Sequence, residues 1–284
     1  MTTSRLSLVL LLLLLPTLSH GVPGQADDPV LWPEHQRSFV QDGPGWLLDD
    51  DAMRHLLSLD LEEREAYIRE FLGADLIPET ELDELAEGIR RRRLLVQRQF
   101  LSARDVRARL LFLHGPPQAI VPIECGLTYR PIEIWSYPLD AERVRQLVLY
   151  RPEPTSPFRL WLPIDSKRVL YSDEMEYWLE QYYDLGGPSL PVKRFDKQLC
   201  PDTKLVDEAT GIEGFTGYMK DRPTNQDVQT FLAPPSDLVA WAREAAVTEL
   251  PELPEEVPVE SLSIYFPDRD GQRMVTRFYI TIPA

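Results

Sequence analysis

The spacing of apolar residues divides the chain into helical and extended stretches. Between residues 49 and 100 apolar residues recur every three or four positions, as at Leu85, Ile89 and Val96, which predicts amphipathic helices. The apolar residues then cluster or alternate between proline-rich turns, which predicts strands. The predicted strands are 109–114, 131–137, 145–150 and 158–162. Helical spacing returns after Ser172 and after Ser236, so the pattern as a whole predicts an α+β fold.

Capping residues set the expected starts of the first helices. Asp49 or Asp50 is suited to cap a helix that runs to Leu59, and Asp60 with Glu63 has the spacing of a capping box. Thr80 with Asp83 is expected to open the next helix. We therefore predict an N-terminal helical layer that packs on a mixed or antiparallel β-sheet.

The ends of the chain have a different composition. Residues 1–21 read as a signal peptide, because Arg5 precedes an apolar run from Leu6 to Leu15, and Ser19 and Gly21 suit a cleavage site. The alternative is a buried N-terminal helix. No later stretch reaches the roughly 18 apolar residues that a membrane span needs. We therefore expect an exported protein, periplasmic or secreted, with no membrane span after removal of the signal.

The remaining segments follow in order along the chain. We predict an extended lead-in over 22–44, an α+β domain over 45–248, and an acidic proline-rich linker over 249–260, ELPELPEEVPVE. Residues 261–284 are predicted to form a β-hairpin turning at Asp270 and Gly271. A lone hairpin is marginal in water. It is expected to pair with the rest of this chain, with another chain, or with residues of a longer, truncated β domain.

Charge and cysteine content narrow the possible partners. The chain has 46 acidic and 30 basic residues, with a net charge of −16, so it should repel nucleic-acid phosphates. The four arginines Arg90–Arg93 fan around a helix and are expected to pair with nearby glutamates. Cys125 and Cys200 either form a disulfide, which export permits, or are two buried thiols. Neither has the spacing of a zinc ligand, and we predict no metal or cofactor.

Two short stretches carry candidate chemistry. In the strand that contains Glu133, Trp135 and Tyr137, both faces have large apolar residues, so Glu133 should be partly buried and should need an arginine partner or hydrogen bonds. The other stretch is His114-Gly115-Pro116-Pro117. Its prolines offer no N–H for an anion site, so we interpret it as a rigid exit from a strand. The chain contains no GxSxG, HExxH, GxGxxG or Walker-type motif.

Several ordered blocks resemble the GWxTD-domain family of exported bacterial proteins. These are 71-FLGADLIPETELDE-84, 89-IRRRRLLVQRQF-100, 107-RARLLFLHGPP-117 and 132-IEIWSYP-138. The namesake motif is replaced here by 101-LSARDV-106. The resemblance implies export and the type of domain. It implies no reaction and no site residues, because the family has no established biochemical activity.

Two hypotheses for function follow. The first is a non-catalytic binding or assembly module with a protein partner outside the cytoplasm, whose hairpin recruits that partner by strand addition. The second is an extracytoplasmic hydrolase that uses a buried carboxylate such as Glu133 beside Trp135 and Tyr137. A pocket holding two converging carboxylates would favour the hydrolase. An arginine packed against Glu133 in a filled core would favour the module.

Overall fold

The chain folds into two compact units, which divide between Thr248 and Glu249. The computed structural model describes residues 28–100, 104–140, 143–184, 200–214, 217–250, 261–267 and 274–280. The predicted signal peptide, most of the predicted linker and the predicted turn at Asp270 and Gly271 lie outside the described residues. The fold is α+β, as the hydrophobic pattern predicts.

The first unit begins with helices whose starts are set by acidic caps. The Asp49 carboxylate accepts a hydrogen bond from the Ala52 N–H (2.8 Å), and Asp60 forms the predicted capping box with Glu63. Asp83 rather than Thr80 caps the fourth helix. The helices are α1 (Glu34–Gln41), α2 (Asp50–Ser58), α3 (Leu61–Leu72), α4 (Glu84–Gln99) and α5 (Val106–His114).

The prediction of an extended lead-in over 22–44 is wrong for its described part. A 3₁₀ turn occupies Pro29–Leu31 and α1 follows it. Within α1 the buried residues are Gln36 and Phe39. Because one of them is polar, the sequence of α1 shows no hydrophobic periodicity typical of a helix. Tertiary contacts with α3, such as the edge-on packing of Phe39 and Phe71 at 5.6 Å between ring centroids, hold this helix.

The main sheet has four antiparallel strands in sequence order. They are β1 (Ala119–Ile123), β2 (Ile132–Pro138), β3 (Val144–Tyr150) and β4 (Arg159–Leu160). In the register, Trp135 lies opposite Ile120 on one side and Leu147 on the other. Of the two sheet types predicted, the antiparallel one is correct.

The predicted strand at 109–114 is wrong, because these residues belong to α5. Leu110, Leu111, Phe112 and Leu113 are all buried. A helix that is apolar on every side shows no amphipathic period and can be mistaken for a buried strand. Asp105 caps α5 by accepting from the Arg107 N–H. The described part of the sheet therefore begins after the His-Gly-Pro-Pro stretch, which leaves a helix instead of a strand.

Both faces of the sheet are covered, as predicted from the two apolar faces of β2. On one face Trp135, Tyr137 and Leu147 pack with Leu110 of α5 and with Phe231. The opposite face forms a second apolar cluster. Its members include Tyr129, Ile132, Ile134, Val148, Trp161, Leu170, Tyr171, Met175 and Val206.

The second half of the first unit contains further helices and a small sheet. Helix α6 spans Asp173–Asp184, α7 spans Thr203–Thr210 and α8 spans Asn225–Gln229. A two-stranded sheet of β5 (Ile212–Glu213) and β6 (Gly217–Tyr218) lies between α7 and α8. Helix α9 (Leu238–Ala246) is capped by Asp237, one residue after the predicted Ser236.

The second unit contains the predicted β-hairpin. Strand β7 spans Ser261–Pro267 and β8 spans Met274–Ile280. They pair antiparallel from Ser261 opposite Ile280 to Pro267 opposite Met274. In the part of the chain that the structure describes, these two strands pair only with each other.

Candidate functional site

The candidate residues Glu133, Trp135 and Tyr137 project from one face of β2, since they alternate along the strand. Trp135 and Tyr137 are almost fully buried, and Glu133 is half-buried. The indole N–H of Trp135 donates to Glu133 Oε2 at 2.8 Å. Trp135 and Tyr137 therefore form part of the apolar cluster that contains Leu110 of α5, and Glu133 contacts Trp135 beside it.

Arg107 occupies the space in front of Glu133. Its Nη1 donates to Glu133 Oε1 at 2.7 Å. Its Nε and Nη2 bind the two oxygens of Asp105 at 2.9 and 2.8 Å, which is the bidentate geometry favoured between arginine and a carboxylate. The guanidinium also stacks 3.9 Å from the centroid of the Phe158 ring. The sequence predicted an arginine partner or hydrogen bonds for Glu133, and the structure shows both, from Arg107 and from Trp135.

This arrangement limits what Glu133 can do chemically. Both oxygens accept hydrogen bonds, one from a guanidinium and one from an indole. The second carboxylate nearby, Asp105, shares the same arginine. The Arg107 guanidinium therefore lies between the two carboxylates and forms an ion pair with each of them. The group is thus organised as an ion-pair network that joins α5 to β2.

Tyr137 and His114 meet at the end of α5. The Tyr137 hydroxyl donates to the Gly115 carbonyl at 3.2 Å, and burial raises the pKa of Tyr137. His114 Nε2 lies 2.8 Å from the Phe231 carbonyl, and burial lowers the pKa of His114. A neutral imidazole with Nε2 protonated donates to that carbonyl. His114 therefore serves a structural purpose, as the sequence indicated.

The two cysteines are joined. Cys125 follows β1 and Cys200 precedes α7, and they form a disulfide with Cα atoms 5.6 Å apart. Within the described residues, one group of side chains has metal-ligand proximity, and it consists of these cysteines with Asp202. Sulfur atoms in a disulfide are not thiolates and do not ligate zinc. That group is therefore no zinc site while the bond is intact.

A buried lysine was missed by sequence reasoning. Lys167 is fully buried, and its ammonium donates to the Asp207 carboxylate and to the Gly214 carbonyl (3.2 Å). The nitrogen lies 5.7 and 5.8 Å from the ring centroids of Tyr129 and Tyr171. No signal in the sequence links positions 167 and 207, which are brought together by tertiary packing. The pair holds α7 against the segment that precedes α6.

A cavity of about 870 Å³ lies among α1, α3 and α4, away from Glu133. Its apolar lining comes from Phe39, Pro44, Ile68 and Leu72, and its polar lining includes His35, Ser38, Glu65 and Arg93. Sequence reasoning missed it because α1, one of its walls, was predicted to be extended. The volume is in the range of small-molecule sites.

Comparison with known proteins adds no assignment. No protein family, no curated protein and no solved structure matches this chain. Among the described helices, none combines the length and apolar character that crossing a bilayer requires.

Proposed function

We propose that this protein is a non-catalytic binding or assembly module that acts outside the cytoplasm and engages a protein partner by strand addition to its C-terminal hairpin. The observation that carries the proposal is the pairing of β7 and β8 in a unit of their own. In the described residues each strand pairs along one edge. An unpaired strand edge offers backbone N–H and C=O groups to an added strand.

The edges of the main sheet are less suited to strand addition. β1 is an edge strand and contains Pro122. Proline is accommodated in edge strands where its missing N–H would face away from the sheet, so it interrupts the edge that an incoming strand would use. The other edge strand, β4, has two residues. These features favour the hairpin as the place of strand addition.

The environment of Glu133 supports a binding module over the hydrolase alternative. The filled core with Arg107 against Glu133 is the arrangement that distinguishes the two hypotheses. Glu133 binds a guanidinium and an indole N–H that already occupy both of its oxygens. A general acid or base needs a proton-transfer path to a substrate, whereas the hydrogen bonds of Glu133 link it to Arg107 and Trp135 of the same unit.

Export is the part of the proposal that rests on residues 1–21, whose pattern is typical of a signal peptide. The disulfide between Cys125 and Cys200 supports it, because disulfides persist in oxidising compartments. The ordered blocks that resemble the GWxTD family, residues 71–138, are consistent with the same compartment. We accordingly propose a periplasmic or secreted location.

The proposal is tested by removing the hairpin and by blocking it. Protein comprising residues 22–284 should capture a partner from an extracytoplasmic extract of its source, and protein lacking residues 257–284 should not. The shortened protein should keep the thermal unfolding midpoint of the first unit, because that unit is compact by itself. The measurement is affinity capture with mass spectrometry, alongside circular dichroism.

A matched pair of point variants distinguishes the loss of backbone strand pairing from a mere change of side chain. Thr276 lies in the middle of β8, opposite Tyr265. Thr276→Pro removes a backbone donor and should abolish capture, whereas Thr276→Val keeps strand propensity and should retain it. Full capture by the shortened protein would contradict the proposal. Turnover of a small compound that disappears in Glu133→Gln would support the hydrolase instead.

A further inference from the structure

The cavity among α1, α3 and α4 combines an apolar wall with charged groups at its rim. Phe39 and Ile68 are buried and form the wall together with Pro44 and Leu72. Most ligand pockets have this composition, in which apolar surface supplies affinity and a few polar groups orient the ligand. None of these residues belongs to the hairpin, so the cavity is independent of strand addition.

The carboxylates of the cavity already have partners. Glu65 Oε2 lies 2.5 Å from His35 Nε2 and accepts from Gln36 at 3.3 Å. These hydrogen bonds lower the pKa of Glu65. Glu34 forms an ion pair with Arg37 within α1. Both acids are thus already engaged by neighbouring side chains.

Two arginines line the cavity, and Arg93 is the more buried of them, since Arg69 is largely exposed and lies 3.8 Å from Glu65. Arg93 is half-buried on α4, and in the described part of the chain its hydrogen bond goes from Nη2 to the Ser38 hydroxyl at 3.2 Å. The neighbouring arginines Arg90, Arg91 and Arg92 each bind a glutamate. A guanidinium has five N–H donors in a planar fork that fits a carboxylate bidentately. Arg93 can therefore offer donors to a ligand anion beside the apolar wall.

We propose that this cavity binds a carboxylate attached to an apolar body, with the carboxylate on Arg93 and the apolar part against Phe39, Ile68 and Leu72. The net charge of −16 repels anions at long range. Binding therefore depends on the Arg93 guanidinium together with the burial of apolar surface. A small hydrophilic anion has no apolar surface to bury, so we expect it to bind weakly. The chemical class includes alkanoic acids and the C-terminus of an apolar peptide.

The test uses two probes with the same tail, octanoate and octylamine, titrated into protein comprising residues 22–284 and followed by calorimetry and by NMR of the Phe39 ring. Octanoate should bind in a saturable manner and octylamine should not. Charge-assisted hydrogen bonds are worth about 1.5–3 kcal/mol. Arg93→Gln should therefore weaken octanoate binding by about ten- to a hundredfold.

Controls separate the site from general charge and folding effects. Arg90→Gln removes an exposed arginine three residues earlier on the same helix and should leave octanoate affinity unchanged. Leu72→Ser should weaken binding through the apolar wall, with an unchanged unfolding midpoint. Comparison with N-acetyl-leucyl-leucine distinguishes an alkanoic acid from a peptide C-terminus by which probe binds more tightly.

Three outcomes would overturn the proposal. They are absence of saturable binding by either carboxylate probe, equal affinity in Arg93→Gln and Arg90→Gln, and equal binding of octylamine. Removal of residues 257–284 should not affect octanoate binding. This result separates the cavity from the hairpin, so that the two proposals succeed or fail independently.

Discussion

Two constraints require glycine at position 115, namely its backbone conformation and its close contact with the Arg92 side chain. Gly115 follows α5 with a backbone φ of +72° and ψ of −165°, a region that is essentially restricted to glycine. The guanidinium of Arg92 packs against it, so that a Cβ atom at position 115 would lie 1.8 Å from Arg92 Nη1. Arg92 in turn pairs with Glu244 at 3.0 Å and donates to the Leu111 carbonyl. The His-Gly-Pro-Pro stretch thus ends a helix and makes room for a buried arginine.

Substituting Gly115 should be costly for stability. Gly115→Ala is expected to lower the free energy of unfolding by more than about 2 kcal/mol, because backbone strain and displacement of Arg92 add together. Guanidinium chloride denaturation measures this difference. Gly126→Ala is the matched control, since a Cβ there meets nothing within 4 Å, and it should change stability by about 0.5 kcal/mol or less. Similar losses in both variants would contradict this account of Gly115.

Residues whose partners are close in sequence were predictable, and residues with distant partners were not. Asp49 and Asp60 cap their helices through backbone groups two or three residues away, so spacing alone identified them. Glu133 required a cation, but Arg107 lies 26 residues earlier, so the kind of partner was predictable and its identity was not. Arg90 and Arg91 pair with Glu87 within α4, whereas the contact of Arg93 with Ser38 is tertiary, so the sequence does not reveal it.

At the scale of elements, prediction failed for the two helices whose sequences show no hydrophobic period. β2 and β3 are short runs rich in β-branched and aromatic residues between proline-containing turns, and they were predicted to within a residue. α5 is enclosed by α4 and the sheet, which removes the helical period from its apolar run. α1 fails for the opposite reason, since it has too few apolar residues to display a period. Hydrophobic periodicity identifies a helix reliably only when one face of the helix is exposed to solvent and the other packs on the core.

Helix α4 should show a specific dependence of stability on pH. Hydrogen bonds from Arg90 and then from Arg91 lower the pKa of Glu87 from 4.5 to about 2. A carboxyl group with a lowered pKa in the folded state stabilises the protein above the unfolded pKa. That contribution is lost as the pH falls from about 4.5 towards 2. Solvent screening near the surface reduces the effect to about 1 kcal/mol.

The comparison of Glu87→Gln with the parent protein isolates this contribution. The stability difference between the two should shrink by about 1 kcal/mol between pH 5 and pH 2 when measured by urea denaturation. In a background carrying Arg90→Gln and Arg91→Gln the difference should no longer depend on pH. A pH-independent difference in the parent background would mean that Glu87 contributes through packing alone.

At the scale of the whole molecule, the disulfide links distant parts of the first unit. Cys125 and Cys200 are 75 residues apart in sequence. The loop that they close contains β2, β3 and α6. Cys200 is fully buried in the apolar cluster on one face of the sheet, to which Val206 and Ala209 of α7 also contribute. The bond therefore restrains α7 against the sheet, close to the buried pair of Lys167 and Asp207.

Reduction should weaken the first unit and leave the second unaffected. In the chain-entropy model, closing a loop of this length stabilises a fold by about 4–5 kcal/mol, by restricting the unfolded chain. Treatment with dithiothreitol should lower the unfolding free energy of the first unit by that amount and increase hydrogen exchange in α7. It should not change exchange in β7 and β8, which belong to the other unit. The double variant Cys125→Ala, Cys200→Ala should be insensitive to dithiothreitol. Equal acceleration of hydrogen exchange in both units would mean that they unfold as one cooperative body. In that case, deleting residues 257–284 would also be expected to disturb the first unit.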